Sequence, residues 1–377
     1  MVSNVNSSLG KTEIKSFLRG EKSTDTRDAL NEGDRSSQEA EVIATAASPY
    51  SNSSAKLPLG WKIHELAMLF AMHARNLMQT DRPLNVFHPF DEYDQLLKKY
   101  TNLDLENAKV LEIGFGQRAG RMIAMVSLGI DALGVDLDAP LLKGTPREIY
   151  EIYRKNGFER LLKSLVRFFS FDLIWRRRLR KELQRRGCKL VLPTKRLLVQ
   201  DAATVNLPKF SFDLIVSESV FEHIPVSSLK PLMAKMACLL KPTGLALIRP
   251  DIFTGISGGH LQELFRVYAG THQRKSRGHP EKSGERPRRC EPWEHLRKKR
   301  FRANVYLNEL MRTDYRRLFS EYFEIIEERV TNPNLGREFL TPEVAEELKD
   351  YSDDELFSNG VLFVLRPRAT SKATRIV

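Results

Sequence analysis

The chain has 377 residues, a formal net charge of +12 and three cysteines. This length allows one large α/β domain with appendages, or two small domains, around a sizeable buried core. No apolar run approaches the roughly 18 to 20 residues that cross a bilayer, and the N-terminus lacks the apolar core of a secretory signal. The odd cysteine count and the absence of metal-ligand spacing argue against a disulfide framework and a metal site. These features predict a cytoplasmic protein without a transmembrane segment.

The first segments in chain order are a polar N-terminus and two helices. Residues 1–55 are rich in Ser, Asn, Thr and charged residues and contain few large apolar ones. Such a composition is typical of a disordered segment, because too little surface can be buried to offset the ordering entropy. Apolar residues then recur at helical spacing from Trp61 to Met78, and Phe90 to Tyr100 favours a second helix. We therefore predict N-terminal helices within residues 56–105.

The stretch from Lys109 to Pro140 has the pattern of a nucleotide-binding βαβ unit. An apolar run, Val110 to Ile113, leads into Gly114 and Gly116, a helical stretch follows, and a second apolar run ends at Asp136. Glycines at the first turn let backbone N–H groups and a helix N-terminus approach a polar ligand. A carboxylate after the second strand can accept hydrogen bonds from both hydroxyls of a ribose. The stretch therefore predicts a cofactor that contains a nucleoside.

Two details distinguish between classes of nucleoside cofactor. The dinucleotide fingerprint G-x-G-x-x-G places its third glycine three residues after the second, whereas Gly120 follows Gly116 by four. Glu112 lies two residues before the first glycine, where a bound pyrophosphate would be repelled by a carboxylate. A cationic cofactor that carries an amino acid would tolerate that charge. The segment therefore favours such a cofactor over NAD.

Further motifs follow the βαβ unit in a fixed order. They are Asp201-Ala202, Leu207-Pro208, the strand from Phe212 to Val216, Glu222-His223-Ile224, and the turn Leu240-Lys241-Pro242-Thr243-Gly244. Together with the glycine turn, they resemble the class I S-adenosylmethionine-dependent methyltransferases, in particular the large type 11 subgroup, over roughly residues 109–250. The segment around Trp293 resembles a subset of that subgroup associated with saccharide or natural-product modification.

The resemblance implies a fold and a cofactor. The fold is α/β: a Rossmann-like, seven-stranded, mostly parallel sheet with an antiparallel last strand near one edge, and helices on both faces. The cofactor is S-adenosylmethionine, and the N-terminal helices would cover the cleft. The implied cofactor residues are Glu112, Gly114, Phe115 and Gly116 at the methionine end, Asp136 at the ribose diol, Leu137 beside the adenine, Asp201 and Ala202 at the adenine amino group, and Ser217 and Glu218 closing the site.

The same resemblance organises the rest of the chain. The methyltransferase domain would span residues 106–367, with a basic helical insertion at 145–190, a lid at 252–304 and a short tail at 368–377. The elements predicted to close the fold are a helix from Tyr306 to Phe319, a strand from Phe323 to Val330, a helix from Thr341 to Tyr351, and a last strand from Gly360 to Leu365.

Positive charge is concentrated in two segments. Residues 154–186 carry a net charge of +9 and residues 274–302 a net +8, so the rest of the chain sums to −5. Such local basicity indicates surfaces that meet anions. In the first segment, apolar residues fall at helical spacing: Leu162, Leu165, Val166, Phe169 and Leu173. The leading interpretation is that this face packs on the core; the alternatives are that residues 160–186 contact an anionic membrane or lipid-linked substrate, or a nucleic acid.

Methyl transfer to a hydroxyl requires a proton acceptor close to the cofactor methyl group. His223 follows the fourth strand, His260 follows the fifth and precedes a predicted helix from Leu261 to Tyr268, and His295 lies on the lid. Each is a candidate base or substrate orienter. The alternative for His295 is a solvated histidine beside Trp293 as an aromatic anchor.

Two motifs that the sequence lacks limit which kind of atom accepts the methyl group. The fourth strand runs into Ser217-Glu218-Ser219 and not into the Asn/Asp-Pro-Pro-aromatic turn used for exocyclic amines, and no cysteine lies where cytosine C5 chemistry would need one. These features favour an oxygen acceptor on a saccharide, free or lipid-linked, or on a small metabolite. The alternatives are an RNA methyltransferase that uses both basic segments, and a non-catalytic binding module with this fold.

Overall fold

The computed structural model describes residues 84–256, 258, 292–299 and 306–368. Its strands are β1 (Lys109–Ile113), β2 (Asp131–Asp136), β3 (Leu197–Val199), β4 (Phe212–Glu218), β5 (Leu240–Arg249), β6 (Phe323–Val330) and β7 (Val361–Pro367). Within this part of the chain they form one seven-stranded sheet in the order β3-β2-β1-β4-β5-β7-β6. The first five strands are parallel, and β7 runs antiparallel between β5 and β6. The predicted sheet, with its antiparallel last strand near one edge, is confirmed.

Helices flank the sheet. They are α1 (His88–Thr101), α2 (Gly120–Ser127), α3 (Pro146–Arg167), α4 (Leu173–Arg185), α5 (Val226–Leu239), α6 (Glu294–Arg297), α7 (Arg312–Ser320), α8 (Pro342–Glu347) and α9 (Asp353–Leu356). No helix in these described ranges is long and apolar enough to cross a membrane. The predictions for residues 1–83, including the helix from Trp61 to Met78, and for the helix from Leu261 to Tyr268 lie outside the described residues.

Two apolar layers, one on each face of the sheet, form the core. Neighbouring residues on a strand alternate between them: Val110 of β1 packs in the layer that contains α1, α2 and α4, and Leu111 packs in the layer that contains α5 and α7. Both faces of the central strands are covered, which is why these strands are apolar on both sides. The carboxyl ends of the parallel strands therefore remain as the edge where ligands can bind.

One predicted helix begins later than expected. The helix predicted from Tyr306 starts at Arg312. Asn308 explains the difference, because its backbone N–H donates to the Glu222 carbonyl at 2.8 Å and its side-chain amide donates to the Phe221 carbonyl at 2.7 Å. These bonds hold the residues before α7 against the turn that follows β4, and this tertiary contact outweighs the local helical pattern.

The insertion between β2 and β3 is attached to the turn that follows β1. A π-helical turn, Phe168–Asp172, joins α3 to α4. The Asp172 side chain is 0% exposed and accepts from Arg118 Nε at 2.7 Å and from Arg167 Nε at 3.1 Å. Arg118 belongs to the β1–α2 turn, so this paired carboxylate fixes the insertion next to the predicted cofactor turn.

Replacement of Asp172 by Asn is expected to lower the free energy of unfolding by about 3 kcal/mol, because two arginines lose the charge that neutralises them in a buried environment. Asp131→Asn is the matched control: its ion pair with Arg196 is 59% and 45% exposed, and such a pair contributes about 1 kcal/mol or less. Urea unfolding of both variants measures the difference. Equal losses in the two variants would contradict this account of how the insertion is attached.

The apolar face of the insertion does not pack on the core, so the leading sequence interpretation is wrong for most of it. Leu162 is 52% exposed, Val166 45%, Phe169 67% and Leu173 37%. Leu165 alone of the five predicted positions is partly buried, in a small cluster with Leu141, Ile152 and Phe168. The reason is that α4 packs on the core through the opposite side, where Trp175, Leu179 and Leu183 are buried, and α3 packs through Ile152 and Leu165.

Candidate cofactor and active site

The two glycines after β1 serve different purposes. Both have positive φ, +80° at Gly114 and +65° at Gly116, which only glycine adopts without strain. A Cβ atom on Gly114 would lie 2.3 Å from Cγ2 of Val220, so this glycine allows the loop after β4 to approach the turn. A Cβ atom on Gly116 would have no neighbour within 4 Å. Gly116 therefore borders open space, as a glycine that admits a ligand should.

Asp136 ends β2 directly beside this open space. Its Oδ2 accepts from the Gly116 N–H at 2.6 Å, and its Oδ1 accepts from the Asp138 N–H at 2.8 Å. Burial raises the pKa of Asp136, and these two N–H donors oppose that rise. The next residue, Leu137, is 66% exposed, so a large apolar side chain stands at the strand end beside a carboxylate. This pair suits a nucleoside, with the diol on Asp136 and the base against Leu137.

Glu112 lies on β1 below the glycine turn and is 1% exposed. Arg121 of α2 donates from Nε to its Oε1 at 2.6 Å, whereas its Oε2 is buried and accepts no hydrogen bond within the described residues. Burial raises the pKa of Glu112, and the charge of Arg121 opposes the rise. Leaving a buried carboxylate oxygen without a donor is costly. The ammonium group of a ligand could donate a hydrogen bond to this oxygen. Glu112 therefore fits a cofactor that carries an amino acid group.

Ser217 and Glu218, at the end of β4, are tied into the protein. The Ser217 hydroxyl is buried and donates to the Ile113 carbonyl at 3.0 Å. Glu218 accepts from the Tyr93 hydroxyl at 2.9 Å and lies 3.4 Å from Nη1 of Arg249. Burial is the main cause that raises the pKa of Tyr93, and the negative charge of Glu218 raises it further. Tyr93 and Arg249 complete a buried polar network at the carboxyl edge that the sequence pattern did not indicate.

The remaining predicted cofactor residues have different surroundings. Asp201 is exposed and its Oδ1 accepts from the Ala203 N–H at 2.8 Å, and Ala202 packs partly into the core. Phe115 is 5% exposed and covers Gly134, where a Cβ atom would come within 2.8 Å of its ring. Asp201 is thus available to a ligand at the end of β3, whereas the Phe115 side chain packs in the core.

The structure places the three histidines differently. His223 ends a 3-10 turn after β4, with Nδ1 2.9 Å from the Tyr306 carbonyl oxygen and a side chain that is 32% exposed. His295 is fully buried, its Nε2 lies 2.8 Å from the Phe253 carbonyl, and burial lowers its pKa to about 4. It is therefore a neutral core residue and not the solvated histidine of the alternative interpretation. Trp293 is also fully buried, as an anchor. His260 lies outside the described residues.

Glu222, next to His223, is a buried acid that belongs to one of the sequence motifs but to which the sequence interpretation assigns no role in the site. It is 3% exposed, and its Oε1 lies 3.8 Å from Nε2 of His223. Burial raises its pKa to about 7, while hydrogen bonds from its own backbone and from Asp251 and the charge of His223 act in the opposite direction. Asp251 follows β5, so the two carboxylates join the ends of β4 and β5. The available signal was an acidic residue within an apolar stretch that follows a strand.

Comparison with known proteins gives one family-model match over part of the chain and a set of similar solved structures. The sequence model of the family described as Methyltransferase domain matches residues 157–248, a range that contains Asp201, Glu218 and His223. No curated protein matches the sequence. Similar solved structures include an S-adenosylmethionine-dependent methyltransferase of Clostridium acetobutylicum ATCC 824, with 12% identity, a TM-score of 0.38 and coverage of 80% of this chain and 98% of that one.

Two further similar structures have comparable scores. A TehB-like SAM-dependent methyltransferase of Corynebacterium glutamicum has 15% identity and a TM-score of 0.36, with 81% of this chain and 99% of that chain covered. Geranyl diphosphate C-methyltransferase of Streptomyces coelicolor A3(2) has 11% identity and a TM-score of 0.34, with 74% and 79% covered.

Proposed function

We propose that the chain is an S-adenosylmethionine-dependent methyltransferase and that it methylates a hydroxyl oxygen of a saccharide, free or lipid-linked, or of a small metabolite, with His223 as the base. When bound, S-adenosylmethionine supplies a methyl group on a sulfonium, which is an excellent leaving group. The protein must then hold the acceptor in line, exclude water and accept the hydroxyl proton. Glu112, Gly116, Asp136, Leu137 and Asp201 would hold the cofactor.

The observation that carries this proposal is the environment of His223. Its Nδ1 faces the Tyr306 carbonyl at 2.9 Å, and a carbonyl can only accept, so Nδ1 carries the proton. In the neutral ring Nε2 is then the basic nitrogen. A base in this tautomer, at the carboxyl end of β4 and on the same edge as Gly116 and Asp136, can take the proton of an acceptor hydroxyl.

Glu222 would act as a positioning residue for His223. A carboxylate 3.8 Å from Nε2 stabilises the imidazolium that forms when the ring accepts a proton. Because the pKa of Glu222 is raised to about 7, this stabilisation increases as the pH rises through 7. The same group makes the fold sensitive to pH.

We expect Glu222→Gln to stabilise the protein at alkaline pH. The folded pKa of about 7 lies above the ordinary value of 4.5, so the folded state binds the proton more tightly. The free energy of unfolding therefore falls as the pH rises from about 4.5 to 7, by about 3 kcal/mol. Gln cannot ionise, so the variant should exceed wild type by about that amount at pH 8 and match it near pH 4.5. Urea unfolding across this range is the measurement, and a wild-type stability that rises between pH 5 and 7 would contradict the assignment.

A lipid-linked saccharide would bring the protein to a membrane surface. The net charge of +9 on residues 154–186 supports a peripheral contact with anionic lipid through residues 160–186. We therefore favour an acceptor presented at a membrane over one in bulk water.

Incubation with methyl-labelled cofactor and a panel of saccharides, lipid-linked saccharides, small phenols and RNA tests the proposal. We expect label in an O-methyl ether of a saccharide or small metabolite, identified by mass spectrometry and by the carbon shift of the methyl group. Label found only on nitrogen, on carbon or in RNA would overturn it.

A further inference from the structure

Five large apolar side chains at intervals of three or four residues are exposed on the insertion. This apolar stripe consists of Phe158, Leu162, Val166, Phe169 and Leu173, exposed by 67%, 52%, 45%, 67% and 37%. Single exposed apolar residues are ordinary, but five at helical spacing indicate a surface that another apolar phase covers. The stripe begins directly after Gly157, whose φ of +83° interrupts α3 and sets the direction of its second half.

Positive charge continues the line at its end. On α4, Arg177, Arg180 and Lys181 are exposed and follow Leu173 at helical spacing. Within the described residues none of these three cations takes part in an ion pair. An apolar row bordered by cations without counter-charges is complementary to an anionic lipid surface, where the apolar side chains enter the acyl boundary and the cations meet the headgroups.

The stripe is also held next to the glycine turn that follows β1. Asp172 lies in the π-helical turn between Phe169 and Leu173, and it pairs with Arg118 of the turn that contains Gly116. A surface held by this buried pair has a fixed position relative to the cofactor turn. Docking the stripe would therefore bring the carboxyl edge of the sheet to a defined place at the membrane.

We propose that the apolar stripe inserts into the interface of an anionic phospholipid bilayer and presents the active site to an amphiphilic acceptor held there. The identity of the acceptor rests on the proposed function, whereas the contact with lipid does not. RNA fits the stripe less well, because single-stranded RNA is bound by aromatic platforms and three of the five side chains are aliphatic. A second copy fits less well too, because a two-fold contact through this face would bring two sets of the same cations together.

Sedimentation of the full chain with vesicles tests the proposal. We expect binding to vesicles of phosphatidylcholine mixed with phosphatidylglycerol, and much weaker binding to phosphatidylcholine alone. The double variant Leu162→Gln and Phe169→Gln should bind at least about tenfold more weakly, because two inserted side chains are lost. Phe210→Gln is the matched control: Phe210 is 54% exposed but precedes β4, at the opposite edge of the sheet, so binding should be unchanged.

The charged end of the stripe is tested separately. The triple variant Arg177→Gln, Arg180→Gln and Lys181→Gln should lose about fivefold in affinity per charge for the mixed vesicles. The proposal is overturned if wild type does not sediment with the mixed vesicles, if the Leu162 and Phe169 double variant binds them as wild type does, or if light scattering shows a dimer that this variant abolishes.

Failure here is distinguishable from failure of the proposed function. Cofactor titration and methyl transfer to a water-soluble acceptor do not require the stripe, so both should be unchanged in the double variant. Transfer to a hydroxyl without lipid binding would remove the membrane proposal and leave the reaction. Lipid binding without transfer to a hydroxyl would remove the proposed reaction and leave the membrane proposal.

Discussion

Replacement of His223 by Gln is expected to lower kcat about a thousandfold, with cofactor affinity unchanged. General-base catalysis by a positioned side chain contributes roughly a hundredfold to ten-thousandfold to a rate. Gln has no group that can accept the hydroxyl proton, whereas its size is close to that of the imidazole. Single-turnover transfer of labelled methyl, after mixing enzyme and acceptor, measures the chemical step directly. The limb of the pH profile that reports the base should also disappear in the variant.

The matched control for this variant is His88→Gln. His88 is exposed and lies at the start of α1, so its replacement should leave kcat within about twofold of wild type. If His223→Gln keeps more than a tenth of the wild-type rate, the proton goes elsewhere, and the prediction for His260 becomes the next to be tested.

Asp136→Ala is expected to weaken binding of S-adenosylmethionine at least a hundredfold. A carboxylate that accepts from both ribose hydroxyls contributes two charge-assisted hydrogen bonds of about 1.5 to 3 kcal/mol each, and 1.4 kcal/mol corresponds to about tenfold in affinity. The substitution also removes the acceptor that holds the Gly116 N–H at 2.6 Å, so the glycine turn loses a support. Isothermal titration calorimetry gives the change in Kd.

Asp138→Asn serves as the control for Asp136→Ala, since it changes a neighbouring carboxylate that pairs with Arg160 and is not predicted to contact the ribose. We expect its Kd to stay within about threefold of wild type. Thermal unfolding without cofactor separates a local loss of binding from a loss of the fold. If the wild type and Asp136→Ala bind S-adenosylmethionine with equal affinity, Asp136 does not bind the ribose.

The sequence was sufficient for features that depend on local spacing. The glycines at 114 and 116 and the alternating apolar runs predicted β1, α2 and β2, and the structure places Gly116 and Asp136 in direct contact. Such features are predictable because the strand, the turn and the carboxylate lie within one short stretch of chain. The antiparallel last strand came from family resemblance, because spacing alone does not determine strand order.

Features that depend on packing between distant residues were not predictable. Tyr93 and Glu218 meet across 125 positions of sequence, and no local pattern connects them. The apolar face of the insertion has the same helical period whether it is buried or exposed, so the pattern could not tell which side of α3 and α4 meets the core. His295 was a candidate base with a solvated histidine as the alternative, and neither interpretation indicated that the ring is enclosed beside Phe253.

The claim that the edge formed by Gly116, Asp136 and Glu112 binds S-adenosylmethionine is the centre of this account, and titration of the wild-type chain tests it most directly. The cofactor and NAD are titrated in turn into the same protein, with heat as the signal. We predict saturable binding of one S-adenosylmethionine per chain and no binding of NAD. The account would be contradicted if S-adenosylmethionine does not bind, or if NAD binds and S-adenosylmethionine does not compete with it.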